Sequence, residues 1–141
     1  MIKITIPIEP VEQARPRAVR MRRGVRLYDL AKVRNYKSEL ALRARKKYPV
    51  EPLDGQLSVK VKFYRRNQKG VSKKRLKLRE EGRIRPTKKP DASNYLKSFE
   101  DALNGVLWKD DAMIVHEEID KYYSEFPRIE FEVEKIGESL D

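Results

Sequence analysis

The chain has 141 residues, no cysteine and a single histidine, with 33 Lys or Arg against 22 Asp or Glu for a net charge of +11. That length suits one domain with its own core, while the missing cysteines exclude disulfides and thiolate metal sites, and one histidine excludes a multi-histidine centre. Residues 1–50 and 51–89 each hold 14 basic and 4 acidic side chains, whereas residues 90–141 hold 5 and 14, a segregation that points to a polyanion such as nucleic acid.

Residues 2–8 place Ile2, Ile4, Ile6 and Ile8 on one face, a half-buried strand ended by Pro7 and Pro10. This opening lacks the apolar h-region of a signal peptide. No apolar run approaches the roughly 20 residues of a membrane span, so a soluble cytoplasmic protein is expected. The cationic stretch from Arg15-Pro16-Arg17 to Arg26, with Gly24 as its turn, reads as an ordered loop or short hairpin. Leu30, Val33, Leu40, Ala44 and Tyr48 recur near helical spacing and predict a helix over 29–48, with Asp29 as N-cap and Pro49 beyond its end. Lys37, Arg43, Arg45, Lys46 and Lys47 form its basic flank. After the turn at Pro52-Leu53-Asp54-Gly55, Leu57, Val59, Val61 and Phe63 alternate with Ser58, Lys60, Lys62 and Tyr64 as a second strand.

Residues 65–89 carry twelve basic and two acidic side chains and few apolar anchors. They read as a mobile basic loop containing a short helix around Lys73–Arg79, one that orders on its ligand; a solvated linker is the plainer alternative. A helix follows over 93–104, closed by Asn104-Gly105. At about 100° per residue, Leu96, Phe99 and Leu103 share an arc of about 60°, and Ser93, Lys97, Glu100 and Asn104 share another. Val106-Leu107-Trp108 is apolar. Residues 112–123 and 127–136 then read as two strands joined by 124–127, with Ile129, Phe131, Val133 and Ile136 inward.

Pro90-Asp91-Ala92-Ser93-Asn94 and Lys109-Asp110-Asp111-Ala112, with Lys97 between them, carry the chemistry. Carboxylates are hard oxygen ligands for Mg²⁺, and one or two such ions support phosphodiester hydrolysis. Each block also has an ordinary reading: Asp110-Asp111 as a turn, Lys97 and Asp101 as a helix ion pair, Phe99 and Trp108 as core or dimer contacts, and His116 as a strand residue without chemistry.

Thr87 to Lys97, then Asp101-Ala102-Leu103-Asn104-Gly105, then Trp108 to Val115, together resemble the RusA family of Holliday-junction resolvases, whose pattern is close to Pro-Asp-x-Asp-Asn-x-x-Lys, Asp-Ala-Leu and Asp-Asp-(Ala/Ser)-Gln-(Ile/Val). Arg15-Pro16-Arg17 and the basic stretch before Pro90 fit as well, so the resemblance covers most of the chain. It implies a homodimer that cuts four-way DNA junctions by paired symmetric nicks with Mg²⁺, or Mn²⁺ in its place, in recombination and repair. The implied fold is one α+β domain over 1–141, a mixed or antiparallel sheet of four to five strands with two main helices.

By the same resemblance Asp91 and Asp111 match metal-binding carboxylates, with Asp110 and Asp101 at further acidic positions. Lys97 matches an essential lysine able to stabilise charge on a phosphorane-like transition state. One departure stands out: Ser93 occupies the second aspartate of the first motif. Glu100, on the same helix face, is the candidate replacement; the plainer reading makes Ser93 a helix cap and Glu100 a partner of Lys97. Arg15, Arg17, Lys73, Lys74, Arg75, Lys88 and Lys89 are the candidate phosphate contacts. Two rivals remain: a junction- or DNA-binding protein that has lost cleavage through Ser93, and a basic RNA-binding protein.

Overall fold

The computed structural model describes residues 1–138. Along the chain run β1 (Ile2–Ile6), β2 (Arg17–Met21), β3 (Gly24–Tyr28), α1 (Ala31–Lys47), β4 (Leu57–Arg66), α2 (Lys73–Glu80), α3 (Ala92–Leu103), a 3₁₀ turn at Asp111–Met113, β5 (Ile114–Ser124) and β6 (Arg128–Lys135). The fold is α+β, as expected. Its main sheet has the order β1-β6-β4-β5, and β2 and β3 form a separate hairpin.

The two last strands do not pair with each other. β5 lies parallel to one side of β4 and β6 antiparallel to the other, so residues 125–127 carry the chain past the end of β4. Alternation in β4 buries Leu57, Val59, Val61 and Phe63, and these meet Ile4, Ile6, Ile129, Phe131 and Val133 on the same face. α1 and α3 cover that face with Tyr36, Leu40, Ala44, Tyr95, Phe99 and Leu103. Phe99 is the centre of the packing, with ring centroids 5.0 Å from Phe131, 5.7 Å from Phe63 and 6.1 Å from Trp108, so Phe99 and Trp108 are core side chains.

The opposite sheet face is polar and uncovered by helices. Lys3, Glu132, Lys60 and Glu118 stand in register across the four strands with alternating sign, the arrangement of a solvated face whose cross-strand pairs are mutually favourable.

Local details differ from the sequence reading. β1 ends at Ile6, leaving Ile8 outside. The N-cap of α1 is Leu30, because the Asp29 carboxylate is engaged by Lys37 Nζ at 2.8 Å and Gln13 Nε2 at 3.0 Å; the Lys37 hydrogen bond holds its pKa below the usual range. The N-cap of α3 is Asp91, which places Ser93 inside the first turn. In 65–89 the helix α2 is capped by Ser72 Oγ, which accepts from Arg75 N at 3.3 Å. Its anchor is a cation: Arg79, 7% exposed, lies 3.7 Å over the Tyr123 ring of β5 and donates to Asn67 Oδ1 and Gln68 Oε1.

Candidate active site

α3 runs beside β5 and ends in a tight return. Asn104, its C-cap, has one side-chain oxygen that accepts from both Trp108 Nε1 and Asp111 N, each at 3.0 Å. That double acceptance ties the Asp110-Asp111 turn to the helix end. Asp110 Oδ1 in turn accepts from Ala112 N at 3.0 Å and starts the 3₁₀ turn, while Lys109 pairs with Asp54 at 2.9 Å.

A carboxylate group gathers at this end. Glu100 is half-buried and its pKa is pushed up to about 8, first by burial, then by a hydrogen bond with Glu117 of β5 and by the charges of Glu117, Asp111 and Asp101. Asp111 is also raised, by burial and then by a hydrogen bond with Asp110, against the opposing Asn104 bond. Among the described residues the one ion pair made by these carboxylates joins Asp101 to Lys37 at 3.4 Å. The expected Lys97 partnerships with Asp101 and Glu100 are not formed, and Lys97 is exposed.

Asp91 stands apart from this group. It lies at the N-terminus of α3, whose 12 residues span about 18 Å at a rise of about 1.5 Å each, while Asp111 lies past the C-terminus. Lys121 of β5 braces the Asp91 end by donating to the Lys88 and Pro90 carbonyls at 3.3 and 3.0 Å. One chain therefore brings Glu100, Asp110 and Asp111 together with Glu117 and Asp101, and leaves Asp91 and Ser93 at the other end of the helix, with Lys97 between.

The donor set fits a hard divalent cation by chemistry. It is all oxygen, carries excess negative charge and stabilises a proton where a cation would otherwise balance it. Among the described residues no three His, Cys, Asp or Glu side chains are grouped so that they could hold a metal ion by themselves, so a bound cation needs further ligands from phosphate, water or a second chain.

Glu117 escaped the sequence reading. Its signal was a carboxylate on the inward phase of β5, in line with Ile119 and opposite buried Val59. The candidate phosphate contacts Arg15, Arg17, Lys73, Lys74, Arg75, Lys88 and Lys89 are all exposed. The flank of α1 is less available: Arg43 is held by Glu39 and the Pro7 carbonyl, and Arg45 by the Val50 and Gly105 carbonyls. His116 is an exposed strand residue 3.4 Å from Glu118. A concavity of about 440 Å³ lies on the polar sheet face, away from the carboxylate group.

The family model for endodeoxyribonuclease RusA matches residues 7–134. The chain is also 41% identical over 138 residues to the uncharacterized protein YqaN of Bacillus subtilis (strain 168), covering 96% of this chain and 97% of that one. The chain belongs to the RusA endodeoxyribonuclease family. DNA is thus its polymer, and among the described residues no helix is long and apolar enough to cross a membrane.

Proposed function

We propose that this RusA-family chain is a Mg²⁺-dependent endonuclease that cuts four-way DNA junctions as a homodimer, making paired symmetric nicks. The observation that carries the reading is the group of Glu100, Glu117 and Asp111 at the end of α3, with one proton held on Glu100 to about pH 8. Such perturbed carboxylates mark sites built to meet positive charge.

In this reading Glu100, Asp110 and Asp111 supply ligand oxygens, with Mn²⁺ able to replace Mg²⁺. The cation, when bound, eases deprotonation of a water and offsets charge at the phosphate. Glu100 releases its proton as the cation binds. Lys97, exposed on the same helix, donates to the phosphate oxygens as charge builds there. Arg15, Arg17 and the basic residues of α2 and its flanks hold the DNA arms.

The distance along α3 is what supports a dimer. A two-fold axis crossing α3 near its midpoint exchanges the helix ends, bringing Asp91 of one copy toward the Asp111 end of its partner. The shell that one chain leaves open is then completed by two.

Cleavage of a synthetic four-way junction in Mg²⁺ tests this. Glu100→Gln and Asp111→Asn are expected to slow nicking at least about 100-fold, or about 2.7 kcal/mol of barrier, while still shifting the junction in Ca²⁺. Ser93 and the open shell favour a second reading, a junction-binding protein without cleavage. A parent chain that shifts the junction at nanomolar concentration yet never nicks it in Mg²⁺ or Mn²⁺ would establish that reading instead.

A further inference from the structure

The β2–β3 hairpin is unlike the rest of the molecule. All ten of its strand residues are exposed, among the described residues its strands pair only with each other, and a two-stranded ribbon without a core is marginal in water. Residues 15–28 contain six arginines and no acid. Among the described residues none of those arginines, Arg15, Arg17, Arg20, Arg22, Arg23 or Arg26, makes an ion pair or a side-chain hydrogen bond. Between them sit large apolar side chains, with Met21 51%, Val25 67% and Leu27 67% exposed.

Cross-strand partners share a face. Arg17 with Tyr28, Val19 with Arg26 and Met21 with Gly24 occupy one side, and Ala18 with Leu27 and Arg20 with Val25 the other. Both faces therefore interleave guanidinium and apolar groups. A protein partner would have to present acids and apolar surface to two opposite faces at once. DNA does so naturally: a groove offers phosphates on both walls, and its bases are flat apolar surfaces wherever stacking is broken.

The ribbon has a fixed root. Gln13 on its entry and Asp29 on its exit are joined at 3.0 Å, Gln13 N donates to the Asn94 carbonyl of α3, and Lys37 links Asp29 to Asp101. The hairpin is thereby held to the helix that carries the candidate active site.

We propose that the β2–β3 hairpin is a branch-point wedge: Met21, Val25 and Leu27 pack against bases left unstacked at the centre of a DNA junction, while the flanking arginines hold the phosphates on either side. At an intact step the same insertion must first break stacking, an unfavourable step that an open branch point has already made, so the wedge favours branched DNA over continuous duplex. This inference rests on the reading that the chain acts on branched DNA, and it makes the hairpin the element that selects the branch.

The experiment compares the parent with a Met21→Ser, Val25→Ser, Leu27→Ser triple variant and with single Val25→Ser, all in Ca²⁺ so that nothing is cut. Four-way junctions carrying 2-aminopurine beside the branch report unstacking by fluorescence, and competition against duplex reports preference. The parent is expected to raise the fluorescence and to prefer the junction. The triple variant is expected to lose the rise and at least about tenfold of the preference, with Val25→Ser intermediate and duplex affinity nearly unchanged because every arginine remains. A triple variant with undiminished fluorescence and preference overturns the wedge and leaves the junction reading standing. Loss of a dimer on sedimentation of the triple variant would assign these side chains to a protein contact and also overturn it. A parent with no preference for the junction overturns both.

Discussion

Burial and neighbouring carboxylates keep a proton on Glu100 far above the usual carboxyl range, to about 8, and the linkage has a definite sign. The folded protein binds this proton more tightly than the unfolded chain, whose reference value is 4.5. The stabilisation is complete below about pH 4.5 and is lost as pH rises through about 8. Measured in EDTA by thermal melting, Glu100→Gln should gain on the parent steadily between about pH 5 and 8 and level off above that. A difference that stays constant over that range would mean Glu100 does not carry the proton. Added Mg²⁺ at pH 8.5 should raise the parent Tm and leave the Gln variant nearly unmoved, since a ligand stabilises only the state that binds it. Asn104 works beside it by holding Asp111 N and Trp108 Nε1. Asn104→Ala leaves the buried Trp108 donor unpaired and should cost about 1–3 kcal/mol in urea unfolding, and it should slow cleavage further by freeing the Asp111 turn.

Elements with clean periodicity were legible from residues alone. The alternation of β4 and the Leu96, Phe99, Leu103 stripe of α3 each had one solution, and both the strand and the helix formed close to the expected bounds. The motif blocks also located the carboxylate-rich end of α3. What sequence could not show is set by tertiary placement. The straddling of β4 by β5 and β6 depends on which edge is open, and Glu117 joins the carboxylate group because β5 lies beside α3. The segment 65–89 looked poor in anchors because its main anchor is a charged residue. Arg79 stacks on Tyr123 and fills two side-chain acceptors, so Arg79→Ala should lower stability by about 1–3 kcal/mol. It should also loosen α2 enough to raise amide exchange across residues 73–80. Protection unchanged by the substitution would show that α2 is held by something else.

At the scale of the molecule, the proposed function gives the basic front the grip on DNA and the acidic end the chemistry. Grip by exposed cations is counterion-driven, so junction affinity should fall steeply with salt, and replacing Lys73, Lys74 and Arg75 by Ala should flatten the logarithmic slope by about 2–3. The proposed chemistry turns on the separation of Asp91 from Asp111 by the length of α3. If each centre takes Asp91 from one copy and Asp111 from the other, two inactive variants contain one intact centre between them. Asp91→Asn and Asp111→Asn chains, co-expressed and purified as a mixed population, should nick a four-way junction in Mg²⁺ at about a quarter of the parental rate, the share of intact centres expected from random pairing in a two-fold dimer, although each variant alone is inactive. A mixture as inactive as its components, beside a parent that cuts normally, would show that the two aspartates are required within one chain.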